Sequence, residues 1–140
     1  MTGVTGPTGP TVTQNNMFAA HNTVETLAPN AVIDMLFYQQ NGTAITQGPN
    51  GSITLAPNQQ YYVDYRANAT GPGTAGAGLY LNGVFIQNTN SQAVSNNNQV
   101  TLSGNTIIRT AGSSTDLDLR SLSSGNTIYG NSTISVIKLA

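Results

Sequence analysis

"YYVDYRANA", residues 61–69, alternates without a break. Tyr61, Val63 and Tyr65 point to one face and Tyr62, Asp64 and Arg66 to the other, the two-residue period of a β-strand. Outward from it, short strand-like segments alternate with turn residues. Upstream, "VIDMLFYQ" (32–39) is rich in β-branched and aromatic residues and reads as a strand, and "SITLAP" (52–57) as a shorter one. The dipeptide Asn41-Gly42 and the run Pro49-Asn50-Gly51 mark turns between them. Downstream, "GPGTAGAG" (71–78) reads as a loop, and "LYLNGVFIQ" (79–87) as two short runs around an Asn82-Gly83 hairpin turn. "NTNSQAVSNNN" (88–98) reads as a polar loop, and "QVTLSGNTIIRT" (99–110) as a strand with a break or bulge at Gly104.

"TDLDLRSL" (115–122) sets Leu117 and Leu119 against Asp116, Asp118 and Arg120. "STISVIKL" (132–139) sets Ile134 and Val136, with Lys138, against Ser135, Ile137 and Leu139. No segment keeps a 3.6-residue apolar period. Eight to ten short strands with Gly, Asn and Pro turns predict an all-β antiparallel sandwich or barrel, of jelly-roll size.

The chain has 140 residues, the size of one domain. Only nine are charged, four basic and five acidic. Asn, Thr, Ser and Gln, about two fifths of the chain, carry its solubility instead. A net charge of −1 offers no electrostatic footprint for nucleic acid or an anionic membrane. No apolar run approaches the ~18 residues of a membrane span. The absence of cysteine removes disulfides, thiol catalysis and zinc–thiolate sites.

The inventory for catalysis is thin. His21 is the one histidine, and it reads as a packed or surface residue. Asp116 and Asp118 share a strand face that suits a cation or a carboxylate pair, but Arg120 on the same face favours an ion pair with Asp118. Asp64 and Arg66 repeat that spacing and read as a salt bridge. A glycosidase of β-sandwich type needs two carboxylates across a cleft, which this pattern does not supply. No enzyme activity, cofactor or metal is expected. The Asn-x-Ser/Thr sequons at Asn41, Asn50, Asn68 and Asn131 read as turn or surface residues in an Asn-rich chain.

The N-terminal "TGVTGPTGPT" (2–11) places Gly3, Gly6 and Gly9 at every third position. That spacing suits a collagen triple helix, whose axis admits only glycine, or a flexible Gly/Pro/Thr linker. Three triplets are too few for a stable triple helix, so a collagen-like reading makes them the end of a longer stalk.

The order of these features resembles a known family. Gly-x-Thr triplets are followed by "FAAHNT", "YYVDYRANAT", "LYLNGVFI", "GSSTDLDLRSL" and a terminal "NSTISVIKL". This resembles the C-terminal domain of BclA-type collagen-like glycoproteins of bacterial spore surfaces, which is similar to the C1q/tumour-necrosis-factor jelly roll. Ser113-Ser114 departs from it, since C1q-like chains tend to have Gly-Asp there.

The resemblance implies a stalk end at residues 1–11 and a head at 12–140 that forms a homotrimer and gathers the stalks. It implies O-glycosylation at Thr5, Thr8 and Thr11. It also implies location on the spore exosporium or otherwise outside the cell, with a host or surface molecule as a possible ligand. Apolar faces at Tyr61, Tyr65, Leu117, Leu119, Ile134 and Val136 are the expected subunit contacts. The competing expectation is the receptor-binding tip of a phage tail fibre, which also joins such triplets to a trimeric β head.

Overall fold

The computed structural model describes Gly3 and residues 14–140. The remaining triplet residues, with Thr5, Thr8 and Thr11, lie outside the described residues. Twelve strands follow in order among the described residues: β1 (Asn16–His21), β2 (Glu25–Leu27), β3 (Phe37–Asn41), β4 (Ile45–Gln47), β5 (Ile53–Leu55), β6 (Gln60–Thr70), β7 (Thr74–Leu81), β8 (Val84–Phe85), β9 (Ser91–Val94), β10 (Val100–Arg109), β11 (Thr115–Ser121) and β12 (Thr127–Lys138). They form two antiparallel six-stranded sheets packed as a jelly roll. The first runs β10-β6-β12-β1-β3, with β2 also on β12, and the second β4-β5-β11-β7-β8, with β9 also on β7.

The alternation at 61–69 is realised in β6. Tyr61, Val63, Tyr65, Ala67 and Ala69 are buried between the sheets, and Asp64 and Arg66 are exposed. β12 is long enough to serve two partners. Its residues 127–129 pair with β2 and its residues 132–137 with β1. On its other side the ladder to β6 slips between Gly130 and Thr133, where Asn131 takes a positive φ. Such a bulge lets one strand bend to follow two neighbours. At the Asn82-Gly83 turn both residues have φ > 0, the requirement of a tight hairpin of type I′. Among the described residues, all eight non-glycine residues with positive φ are asparagines, which tolerate that backbone best after glycine. The richness in Asn thus has a backbone cause as well as a solubility role.

Several expected elements shift. Of the expected 32–39 strand only 37–39 join the ladder, within β3, and 32–36 run as an irregular segment bridged to β11 at Val32–Arg120. Its Ile33 and Met35 are nevertheless buried, with their amides bonded to the Leu119 and Gly51 carbonyls. Most of "GPGTAGAG" is strand β7, and residues 91–94 of the expected polar loop form β9 beside it. Glycine suits β7 because its outer face is covered: a Cβ at Gly78 would lie 2.8 Å from Leu122 Cδ1 and 2.9 Å from Phe85 Cε2. Gly104 is no break, for the β10–β6 ladder runs through it in register. It is small because the Tyr65 ring lies beneath it, 2.6 Å from where a Cβ would stand.

Three buried tyrosines cross from the first sheet to the second. Tyr65 on β6 donates to the Thr89 carbonyl at 2.5 Å, with the Ala77 carbonyl of β7 at 3.2 Å. Tyr61 reaches the Ala44 and Ala56 carbonyls, each at 3.1 Å, beside β4 and β5. Tyr129 on β12 reaches the Gly76 carbonyl at 2.6 Å and the hydroxyls of Ser121 and Ser123. Burial raises the Tyr65 phenol well above its ordinary value of 10.0, and neighbouring Tyr129 adds to it. Burial also raises Tyr61, against a smaller opposing effect of its bond to Ala56.

Unfolded phenols ionise near pH 10, before these two do in the fold. Stability is therefore intact below that pH and falls above it, by up to about 1.4 kcal/mol per pH unit for Tyr65 and by less for Tyr61. Replacing Tyr65 with Phe takes the donor from the buried Thr89 carbonyl and is expected to cost about 1–3 kcal/mol at neutral pH. It also makes the decline above pH 10 shallower. Thermal melts of the two proteins at pH 7, 10 and 11 measure both effects.

Candidate functional site

The six expected contact residues are core residues of a single chain. Tyr61, Tyr65, Leu117, Leu119, Ile134 and Val136 are all at 0–1% exposure. Their faces point between the sheets, so they have no surface left to offer a neighbouring subunit. This corrects the expectation from the sequence: alternation separates two faces, and the face facing away from the core was the one to choose.

The outward face of the first sheet is built by register. Ile107 of β10 pairs with Tyr62 of β6, Tyr62 with Ile137 of β12, and Ile137 with Asn16 of β1. Residues paired across adjacent strands share a face, so Ile107, Tyr62 and Ile137 form a continuous apolar strip. Ile107 and Ile137 are exposed, at 58% and 40%. The strip lies at the end of the sheet where the chain comes in from its N-terminal segment: the Lys138 amide donates to the Asn15 carbonyl at 2.9 Å.

The next two rows are polar at β10, β6 and β12 and aromatic at β1 and β3. Asn105, Asp64 and Ser135 lead to Phe18, and Ser103, Arg66 and Thr133 lead through Ala20 to Phe37. The polar residues line a shallow depression in the middle of the sheet. β3 is the open edge of this sheet, where Phe37 is exposed on the outward face and Leu36 and Tyr38 are exposed beside it, Tyr38 on the face shared with Ala19. Apolar groups thus stand at both margins of one sheet, with the polar depression between them. Patches of this kind mark interaction surfaces.

The expected ion pairs divide. Arg120 grips Asp118 with two hydrogen bonds, at 2.8 and 3.2 Å, and its guanidinium lies 4.6 Å from the centre of the Tyr80 ring. The bond to Asp118 raises the Arg120 pKa. Asp116 instead accepts from Thr54 at 2.7 Å. Asp64 and Arg66 form no ion pair with each other, contrary to the expectation. No ring braces Arg66 as Tyr80 braces Arg120, and both groups stay open in the depression. His21 is buried, at 2% exposure, and bonded to Asp34.

No protein-family model matches the sequence, and no curated protein matches it. Solved structures do. The Eiger TNF of S. frugiperda superposes with a TM-score of 0.71 at 15% identity, over 90% of this chain and 92% of that one. The globular domain of zebrafish complement 1qA gives 0.71 at 10% identity, over 91% and 98%. Murine APRIL at pH 5.0 gives 0.67 at 6% identity, over 89% and 98%. The fold is the C1q/TNF jelly roll. At these identities the likeness is one of architecture, and the surface of this C1q/TNF-type domain has to be read from its own residues.

The two classes of residue separate by mutation. Leu119→Arg buries an unpaired charge at a cost of several kcal/mol and is expected to abolish cooperative unfolding. Ile107→Arg, on the exposed strip, is expected to keep a folded circular-dichroism spectrum and a cooperative melt.

Proposed function

We propose that this domain is the trimeric head of a collagen-like surface filament, a non-enzymatic device that aligns three stalks and presents their tip. The observation that carries the reading is the sequence order: glycine triplets lead into a C1q/TNF jelly roll, and the apolar strip lies where the chain leaves the triplets. A triple helix needs three chains in register, and gathering them costs entropy. A trimeric head at one end raises the local concentration of the stalks and offsets that cost.

The two apolar margins support a head-to-tail contact. The edge strand β3 of one subunit, with Leu36, Phe37 and Tyr38, packs against the Ile107–Tyr62–Ile137 strip of the next. An interface between two different patches closes into a ring when the rotation fits, and three copies satisfy the stalk. Asp64 and Arg66, free of each other within the chain, stand beside the contact and are available to a neighbour. The scarcity of charge lowers the desolvation penalty of such packing.

The resemblance to BclA-type proteins supports a filament on the spore exosporium, with sugars on Thr5, Thr8 and Thr11 and a role in surface organisation and adhesion.

Light scattering after gel filtration is expected to give a mass near three chains. Ile107→Arg, which removes the strip, and Phe37→Arg, which removes the edge, are each expected to give folded monomers. An equal mixture of the two variants retains one intact edge and one intact strip, and is expected to form pairs. A monomeric unmodified chain removes the reading. A trimer indifferent to both substitutions moves its interface elsewhere.

A further inference from the structure

His21 ends β1, and its side chain follows Met17 and Ala19 into the interior. Its Nδ1 lies 2.8 Å from Asp34 Oδ1 and 2.9 Å from the Asp34 carbonyl oxygen. A carbonyl and an ionised carboxylate only accept hydrogen bonds, so Nδ1 carries the hydrogen. In the neutral ring the lone pair is then on Nε2. That atom is buried and has no hydrogen-bond partner. The charged group facing it is another acceptor, Glu25 Oε2, at 4.0 Å. A buried lone pair aimed at a carboxylate is unfavourable unless something positive stands between them.

We propose that His21 Nε2 and the Glu25 carboxylate bind a divalent transition-metal ion of the zinc type, with Asp34 holding the imidazole in place. The 4.0 Å separation is too long for a hydrogen bond. It is at the lower end of the sum of a metal–nitrogen bond of about 2.0–2.1 Å and a metal–oxygen bond of about 2.0–2.2 Å. A small swing of the Glu25 side chain bends the two bonds towards a tetrahedral angle. That side chain is half exposed, so it has room to swing, and water can fill the remaining positions.

A histidine that donates its other nitrogen to a carboxylate is the arrangement that orients metal-binding imidazoles and strengthens their basicity. Asp34 is itself fixed. Its Cβ packs so close to Gly51 that a side chain there would collide with it at 2.3 Å, and the next residue's amide bonds to the Gly51 carbonyl. The ligand-type atoms of His21, Glu25 and Asp34 all lie within 4.8 Å of one another. An imidazole among the donors selects zinc, nickel or copper over calcium and magnesium, which prefer all-oxygen sites. Bound there, the ion would tie β1 to β2 near the irregular 28–36 segment.

The test uses the full chain without an affinity tag and zinc chloride as the probe. Calorimetric titration is expected to give one ion per chain, with a zinc-dependent rise in melting temperature. Glu25→Gln changes a half-exposed side chain, so the metal-free melt should stay near that of the unmodified protein while zinc affinity falls at least tenfold. Asp34→Asn is expected to weaken zinc about 10–100-fold. Nitrogen-15 NMR of the imidazole should show Nε2, not Nδ1, shifting on addition of zinc. The proposal is overturned if zinc neither binds nor stabilises. It is equally overturned if the Glu25→Gln protein binds zinc as tightly as the unmodified one, or if the NMR shift falls on Nδ1.

Discussion

The spacing of the two sheets depends on side chains that can cross it and still satisfy what they meet on the far side. Tyr61, Tyr65 and Tyr129 do this from the first sheet. A phenylalanine at 65 would fill the same volume and leave the Thr89 carbonyl without its Tyr65 donor, one at 129 would take a donor from the Gly76 carbonyl and a partner from Ser121 and Ser123, and a leucine would leave a void as well. Long side chains on one sheet require short ones around them. Ala67, Ala69, Ala75 and Ala77 are buried in the same core, and Gly104 stands where the Tyr65 ring comes closest to backbone. The glycine in β10 follows from Tyr65, whose ring lies where its Cβ would stand, whereas the glycines of β7 follow from Leu122, Gln92 and Phe85 against its outer face.

That dependence explains which elements could be read from the sequence. β6, β11 and the second half of β12 each bury one apolar face against the core and set polar residues on the other, so apolar and polar residues alternate visibly. β7 hides because the residues opposite the tyrosines are alanine and glycine, which carry no apolar period. β9 hides because it is four residues of a sheet margin, with polar Ser91 and Gln92. The segment 32–36 misleads for another reason. Ile33 and Met35 are as buried as any strand residue, yet their amides bond singly to Leu119 and Gly51, and the segment meets β11 through one isolated bridge instead of a ladder. Burial left its mark in the sequence there, but the form of the backbone did not.

The outward surface was less legible, because alternation gives two faces without saying which is the core. On β6 both faces carry tyrosine, and on β12 both carry isoleucine. Charge is the discriminating feature. The set Tyr61, Val63, Tyr65, Ala67 and Ala69 is uncharged throughout, while the set headed by Tyr62 includes Asp64 and Arg66. A sandwich interior takes the uncharged set, since an ion is not buried without a partner. The same criterion reads β11 correctly, where Asp118 and Arg120 share the outer face. The cross-strand strip of Ile107, Tyr62 and Ile137 was beyond reach in any case, because it exists only once three ladders are in register. His21 is a comparable case: its surroundings come from a loop 13 residues away and from the start of β2, and no local spacing announces them.

The low charge of the chain links these features. A monomer with nine charged residues keeps its solubility through amides and hydroxyls, and those groups also make its turns, as the eight left-handed asparagines show. Amides and hydroxyls lose less on burial than ions do, so a surface made of them is soluble alone and still inexpensive to cover. Where charge does remain on the outer face of the first sheet, Asp64 and Arg66 stand two residues apart on one strand and do not neutralise each other. Opposite charges left open beside an apolar strip favour one docking orientation and penalise the others, which is how electrostatics contributes specificity more than affinity. For a domain that must bring three identical chains into one register, orientation is the quantity that matters. A few unpaired charges on an otherwise neutral face supply it with little loss of stability.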